Sequence, residues 1–215
     1  MGAFLHYLNV RKGHLLDLTI AHAQIVLSAI AIATAISLVT AILVYRHERV
    51  AAVVLSIVGT FLTIPSLALF SLLIPFLGLG TKPALFALVL YAMLPILRNT
   101  VVGLRSVDRA VLESARGMGM NRLRRLARIE LPLAWPVILT GIRVATVLIV
   151  GIAAIGAYVN GPGLGEDIFA GLSRVGTPTA LHLTVSAILA AVALALLLDA
   201  AYLVLGKLTT SRGLR

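Results

Sequence analysis

Five long apolar segments, separated by short polar connections, dominate the hydropathy pattern of the chain. They occupy residues 23–44, 50–74, 83–97, 134–157 and 180–205. A helix needs about 20 apolar residues to cross the hydrocarbon core of a bilayer, and four of the five segments reach that length. The pattern therefore predicts an all-α polytopic membrane protein with about five transmembrane helices.

The third segment is shorter than the others. As a helix, its uncharged residues 83–97 would span only about 22 Å. We therefore expect this helix to extend into the flanking residues or to lie in a thinned or protein-lined region.

Two prolines, Pro65 and Pro95, interrupt the second and third segments. A proline removes a backbone donor and disturbs the carbonyl four residues earlier, and a group freed in lipid must find protein or water. We therefore predict kinks, with Pro65 and Ser66 as candidates for lining a path through the membrane. Tyr91 is a further candidate, because the face of an aromatic ring attracts cations. A packed, kinked helix with no part in transport is the alternative.

Lysines and arginines set the predicted orientation. Thirteen of the 18 fall on one side if the long loop 98–132 is cytoplasmic, and this bias predicts an external N-terminus and a cytoplasmic C-terminus. The segment 1–22 would form either a short surface helix or disordered chain. The predicted organisation is an external or interfacial segment 1–22, a transmembrane domain 23–205 with a cytoplasmic loop 98–132 and an external loop 158–178, and a cytoplasmic tail 206–215.

The amino-acid composition excludes several classes of protein and of functional site. The chain is 60% hydrophobic and only 12% charged, whereas soluble domains carry about 25% charged residues. The chain contains no cysteine, which excludes thiolate metal sites and thiol nucleophiles, and its five scattered histidines suggest no metal site. The net charge of +10 is explained by membrane topology, so we expect membrane lipid and not nucleic acid as a partner.

The loop 98–132 is predicted to form two short helices with a break between them. Glu113 lies near the start of the first, where it would complement the helix dipole, and Gly117 and Gly119 end that helix. Asn121 is a candidate N-cap for the second helix, and Pro132 stops it. The second helix would place Leu123, Leu126 and Ile129 on one face and Arg122, Arg125 and Arg128 on the other.

The same loop resembles the EAA loop of permease subunits of bacterial ABC importers. The family pattern is Glu-Ala-Ala, three residues, Gly, nine residues, Ile, one residue, Leu-Pro. This chain has Glu113-Ser114-Ala115, Gly119, Ile129 and Leu131-Pro132 at that spacing, with Ser114 as the one departure. The stretches Leu94–Thr100, Gly103–Asp108 and Ile64–Ala68 further resemble the subfamily that imports glycine betaine, choline, carnitine and related osmoprotectants, and the similarity runs from about residue 14 to 205.

The resemblance implies a type I ABC-importer permease fold, in which two permease copies, identical or paralogous, enclose the path. It also implies cytoplasmic ABC ATPase subunits that bind ATP-Mg and an extracytoplasmic substrate-binding protein. The chain itself has no Gly-x-x-x-x-Gly-Lys-Ser/Thr loop, so we expect it to bind no cofactor and to be no enzyme. The residues implied to couple to the ATPase are Glu113, Ser114, Ala115, Arg116, Gly117, Met118, Gly119, Met120, Ile129, Leu131 and Pro132.

Arg143 and Asp199 are ionisable residues inside apolar segments. Because unpaired charges are costly in a membrane, we predict that they pair and hold the fourth and fifth helices in register. Snorkelling of Arg143 toward lipid phosphates is the alternative. A stand-alone secondary carrier that uses the two residues as a charge relay is the competing function.

Two further patterns concern packing and the external face. Small residues recur at every fourth position of the first segment (29, 33, 37, 41) and of the fifth (187, 191, 195), which favours close helix packing. The external loop contains Gly161-Pro162-Gly163-Leu164-Gly165 and then Glu166-Asp167. This sequence predicts a tight turn before a short helix with acidic residues at its N-terminus.

Overall fold

The computed structural model describes residues 2–209. Within that range the chain is helical and contains no strand, so the all-α prediction is confirmed. The described residues form these α-helices: α1 Gly2–Val44, α2 Glu48–Thr63, α3 Ser66–Leu77, α4 Thr81–Arg105, α5 Arg109–Gly117, α6 Arg122–Arg125, α7 Leu131–Ile155, α8 Gly165–Leu172 and α9 Pro178–Thr209. A π-helical turn, Leu126–Glu130, joins α6 to α7, and a 3₁₀ turn, Gly156–Val159, follows α7.

Helix α4 lies at the centre of the bundle and packs against both α1 and α7. Small residues allow the close approach: a Cβ added to Gly141 would lie 2.7 Å from Asn99 Cβ, and one added to Gly103 would lie 3.1 Å from the carbonyl oxygen of Ala134. Between helices in lipid, van der Waals contact takes the place of the hydrophobic effect as the driving force for packing. The positions where two backbones lie this close therefore exclude larger side chains. The predicted small-residue stripe of the first segment is confirmed, since all four of its members are fully buried.

The stripe of the fifth segment is only partly enclosed. Ala187 is buried, whereas Ala191 and Ala195 are half-buried.

The second apolar segment does not form the single kinked helix that was predicted. It forms α2 and α3, whose axes differ by 97°. Pro65 lacks the N–H that would continue the helix, and the Tyr91 hydroxyl donates a 2.7 Å hydrogen bond to the carbonyl oxygen of Ile64 at the break. A side chain from α4 therefore satisfies a carbonyl of the α2–α3 junction and fixes the bend.

The bent pair α2–α3 nevertheless runs from one end of the bundle to the other. Helix α2 begins three residues after Tyr45, which bonds to Glu130 at the start of α7. After α3, the Gly80 N–H donates a 2.6 Å hydrogen bond to the carbonyl oxygen of Val159, beyond the far end of α7. Helices α1, α4, α7 and α9 are long and apolar enough to span a membrane, and the bent pair is the candidate for a fifth span.

Helices α1 and α4 are longer than the apolar segments that predicted them. Helix α4 has 25 residues, which confirms that the short third segment extends into its flanks. Helix α1 has 43 residues, or about 64 Å, twice the hydrocarbon thickness of about 30 Å. The prediction of a separate short helix or disordered chain before residue 23 is therefore wrong for the described residues. That part of α1 packs on α8 and α9, with Leu18 against Leu164 and Ala187.

The loop after α7 folds back onto α1. The predicted turn and short helix are confirmed, with Glu166 and Asp167 in the first turn of α8. The Leu164 N–H donates to His22 Nδ1 (3.3 Å), and His22 Nε2 donates to the carbonyl oxygen of Val150 (3.0 Å). These two bonds require a neutral imidazole that carries its proton on Nε2.

A buried carboxylate also holds α8 to α1. Asp167 Oδ1 lies 3.0 Å from His14 Nε2 and 3.5 Å from Arg11 Nη2. The connection between α7 and α9 is therefore a packed element and not a solvated linker.

The predicted cytoplasmic tail is described only in part. Residues 206–209 continue α9, whereas residues 210–215, which include Arg212 and Arg215, lie outside the described range.

We expect Gly163→Ala to destabilise the protein. Gly163 has φ +120°, and a Cβ there would lie 2.7 Å from His22 Nδ1. Backbone strain and overpacking together give an expected loss of about 1–3 kcal/mol, measured as thermal unfolding in detergent by size-exclusion chromatography. Gly151→Ala is the matched control, because Gly151 is helical and its Cβ would meet open space. Equal losses for the two variants would contradict this account.

Candidate functional site

The first helix of the long loop begins and ends on defined caps. The Asp108 carboxylate accepts a 2.8 Å hydrogen bond from the Ala110 N–H and begins α5. Glu113 is the fifth residue of α5, so the prediction that it lies near the helix start is wrong and Asp108 takes that place. At the other end Gly119 has φ +77°. The Gly119 N–H donates to Arg116 O (2.9 Å) and the Met120 N–H to Ala115 O (3.1 Å), the pattern of a Schellman cap. The predicted break at Gly117 and Gly119 is confirmed.

The second helix of the loop continues without interruption into the membrane. The Asn121 side chain accepts from the Arg124 N–H at 2.9 Å, which confirms the predicted N-cap. The prediction that Pro132 stops this helix is wrong: α6, the π-helical turn and α7 form one rod over Arg122–Val159. In the π-helical turn the Leu131 N–H donates to Leu126 O, five residues back. Pro132 has no N–H to donate, but it comes directly after this widened turn, so the rod continues without a hydrogen bond from that residue.

The π-helical turn also changes which side chains face inward. Leu123, predicted on the apolar face, is 76% exposed, whereas Arg125, predicted on the polar face, is only 5% exposed. Residues five apart lie about 140° apart on a regular α-helix, and a π-helical turn brings them closer together. Arg125 and Glu130 consequently meet, with Arg125 Nε 3.0 Å from Glu130 Oε1.

Glu130 is the centre of a buried polar cluster where α1 meets α7. Its side chain is 1% exposed. Oε1 also accepts from Arg46 Nη2 (3.2 Å), and Oε2 accepts from the Tyr45 hydroxyl (2.6 Å). The Arg46 Nε donates to the same Tyr45 oxygen at 2.6 Å. Burial raises the pKa of Tyr45, and its hydrogen bond to Glu130 adds to the rise, so the phenol stays a donor.

Helix α4 joins the same junction through its last residue. Arg105 Nε donates a 2.7 Å hydrogen bond to the carbonyl oxygen of Tyr45, directly after α1. The ends of α1 and α4 and the start of α7 are thus tied together on one side of the bundle. Sequence reasoning missed this cluster. The available signal was Glu130 itself, a single acid placed where an arginine-rich stretch meets an apolar segment.

The loop presents an exposed apolar surface, which we define as Val111, Met118 and Leu123. Met118 is 68% exposed. Glu113, Ser114, Arg116, Gly117 and Gly119 of the same loop are also exposed, whereas Ala115 is buried. Of the remaining residues of the pattern, Met120, Ile129 and Leu131 are half-buried and Pro132 is exposed. Exposed apolar side chains around a rigid turn are typical of a protein interface.

Arg143 and Asp199 lie in contact between α7 and α9. Arg143 Nε donates to Asp199 Oδ1 and Nη2 donates to Oδ2, both at 3.0 Å. The side chains are 30% and 31% exposed. Each ion satisfies the other with two parallel bonds, the strongest geometry for this pair of groups.

The predicted path residues cluster at the α2–α3 break. Pro65 is exposed and Ser66 half-buried. Tyr91 is buried, so it positions the break through Ile64 and does not itself line a surface. Within the described part of the chain, no group of three His, Asp or Glu side chains is arranged to hold a metal ion.

Comparisons with known proteins agree with this architecture. Residues 25–210 match the family described as binding-protein-dependent transport system inner membrane component. The carnitine transport permease protein OpuCB of Listeria monocytogenes is 42% identical over 80% of this chain and 79% of its own. The choline transport system permease protein OpuBB of Bacillus subtilis (strain 168) is 39% identical over 80% of each chain. The osmoprotectant import permease protein OsmW of Salmonella typhimurium (strain LT2) is 40% identical over 79% of this chain and 81% of its own.

A solved structure shares the fold. A chain of the MetNI methionine ABC transporter, in inward-facing conformations, superposes with a TM-score of 0.80 over 92% of this chain and 96% of its own, at 21% identity.

We expect Glu130→Gln to destabilise the protein by about 3 kcal/mol or more, because it leaves the buried Arg125 guanidinium without its counter-charge. Thermal unfolding in detergent measures the loss. Glu48→Gln is the control: Glu48 is exposed in the first turn of α2, and its loss should stay below about 1 kcal/mol. A Glu130 variant as stable as the control would show that the cluster does not hold the junction.

We expect Arg143→Gln and Asp199→Asn to be non-additive. Each single variant strands one ion at the α7–α9 contact, whereas the double variant strands neither. A double-mutant cycle on thermal stability should give a coupling of about 0.5–3 kcal/mol. Purely additive losses would instead support an Arg143 side chain that snorkels to lipid.

Proposed function

Because the chain belongs to the family of binding-protein-dependent transport system inner membrane components, we propose that it is the permease subunit of an ATP-driven importer of osmoprotectants. Glycine betaine, choline, carnitine or a related quaternary amine is the expected substrate. The observation that carries this proposal is identity of about 40% to carnitine, choline and osmoprotectant permeases over about four fifths of each chain.

The loop between α4 and α7 is the proposed docking element for a cytoplasmic ABC ATPase, which binds the ATP-Mg. The exposed apolar surface on Val111, Met118 and Leu123 supports this assignment. Glu113–Met120 would seat in the ATPase, and Ile129, Leu131 and Pro132 would carry its displacement into α7. The continuous rod Arg122–Val159 supports such transmission, because a rigid element passes a displacement from one end to the other.

The α2–α3 break is the proposed lining of the translocation path. Backbone outside a helix avoids lipid, and it is tolerated at membrane depth where it faces protein or water. Pro65 and the hydroxyl-bearing Thr60 and Thr63 are exposed at this break. This surface would face a second permease copy, identical or paralogous, with the path between the two.

The proposed orientation places the N-terminus outside and the C-terminus in the cytoplasm of a bacterial inner membrane. The arginine-rich loop then lies on the ATPase side. The folded turn and α8 lie on the external side, where a substrate-binding protein would dock on the segment 158–178.

The Arg143–Asp199 pair argues against the competing carrier function. A charge relay needs a group that is open to a substrate or an exchangeable proton. Here each ion is engaged by two bonds from the other, which supports a role in holding α9 to α7.

Uptake by reconstituted protein tests the proposal. Proteoliposomes would contain this chain with its ATPase and binding-protein partners, and would be supplied with radiolabelled glycine betaine, choline or carnitine. We expect uptake to require ATP. Met118→Asp should weaken ATPase co-purification and uptake by about tenfold or more, because docking would bury an unpaired carboxylate.

Val175→Asp is the matched control for docking, since Val175 is similarly exposed but lies after α8 on the opposite end of the bundle. It should retain the ATPase. If the chain retains the ATPase but takes up none of the three amines, the proposed substrate class is wrong and the permease assignment stands. Uptake without an ATPase would overturn the proposal in favour of a carrier.

A further inference from the structure

A cavity of about 420 Å³ lies between α5 and the adjoining ends of α1, α4 and α7. Five arginines contribute to its lining: Arg46, Arg105, Arg109, Arg116 and Arg125. We call this cavity the arginine pocket. Two carboxylates, those of Glu113 and Glu130, also line it, so its lining carries more positive than negative charge.

The carboxylates of the arginine pocket do not neutralise its cations. Glu130 already accepts bonds from Arg46, Arg125 and Tyr45. Arg109 and Arg116 form no salt bridge or side-chain hydrogen bond with any residue in the range 2–209. Arg109 and Arg116 are exposed at the pocket, whereas Arg125 is buried within it. A concave site with such an excess of positive charge attracts an anion.

The position of the arginine pocket favours a ligand from the membrane surface. The apolar span of α1 ends at Val44, and the next two residues, Tyr45 and Arg46, line the pocket. If α1 leaves the membrane where its apolar span ends, the pocket lies at the depth of the phospholipid head groups. The lining residues of α5, at positions 109, 112, 113 and 116, share one helical face. Val111 and Met118 lie on the opposite face of α5, away from the pocket. Glu113 and Arg116 line the pocket and also belong to the segment proposed to seat in the ATPase, whereas Arg109 lies outside that segment.

We propose that the arginine pocket binds a phosphate group, supplied by the head group of an anionic phospholipid. The planar guanidinium fork matches phosphate oxygens with two parallel hydrogen bonds, and several forks converge here. A phosphate in the pocket would pair with Arg109 on α5 and with cations at the ends of α1 and α4. It would thereby hold α5 against the adjoining ends of α1 and α4. The lipid source rests on the proposed membrane placement of the loop, whereas the phosphate chemistry does not.

Direct ligand binding tests this site independently of transport. The full chain, purified in detergent with the ATPase it retains, is titrated with phosphatidylglycerol, phosphatidylcholine or inorganic phosphate and analysed by native mass spectrometry. We expect phosphatidylglycerol to bind in preference to phosphatidylcholine. Arg109→Gln should weaken phosphatidylglycerol binding by about fivefold, the effect of one basic side chain near an anionic surface, and Arg109→Glu should weaken it further.

Arg122→Gln and Arg122→Glu are the matched controls. Arg122 is an exposed arginine of the same loop and does not line the pocket. Unchanged binding in these controls with loss in the Arg109 variants supports the site. Inorganic phosphate that binds through Arg109 without a lipid preference supports the phosphate chemistry and assigns a soluble source. Equal losses in both pairs of variants, no binding of either probe, or loss of the ATPase from Arg109→Gln would overturn the proposal.

Discussion

The carboxylate of Glu130 is the interaction on which the arrangement of the long loop depends. A negative charge removed from water is tolerated only when other groups replace its hydration, and here two guanidiniums and a phenol do so. The three donors come from the chain just beyond α1 and from α6, so one carboxylate fixes both relative to α7. Through the Tyr45 carbonyl, Arg105 adds the end of α4. The ends of α1 and α4 and the start of α7 are therefore held together at Glu130, next to the loop proposed to bind the ATPase.

Away from this junction the bundle is held by close approach. Alanine, serine and glycine on α1, α4 and α7 bring backbones within contact distance where a methyl group more would collide. This packing leaves the surface of α9 largely unburied within the subunit, and the Arg143–Asp199 pair supplies a directional contact there. The centre of the bundle is thus held by close packing, and the α7–α9 contact at its periphery is held by an ion pair.

The features set by segment length, composition and local motifs were predictable from the sequence. The four to five candidate spans follow from the apolar segments, and the caps at Asn121 and Gly119 follow from local chemistry that needs no distant partner. The sharp bend at Pro65 was missed because its angle depends on Tyr91, a residue of another helix. The inward position of Arg125 was missed because a single π-helical turn rotates the preceding residues out of the 3.6-residue periodicity. The folded N-terminal part of α1 was missed because its partners, Leu164 and Ala187, lie more than a hundred residues away.

Helix α1 is held at two distant points, by Arg11 and His14 to Asp167 and by the residues that follow Val44 to Glu130. The continuous helix between these two points is one stiff element that joins the two ends of the bundle. A displacement of the junction around Glu130 would therefore be carried along α1 to its contact with α8.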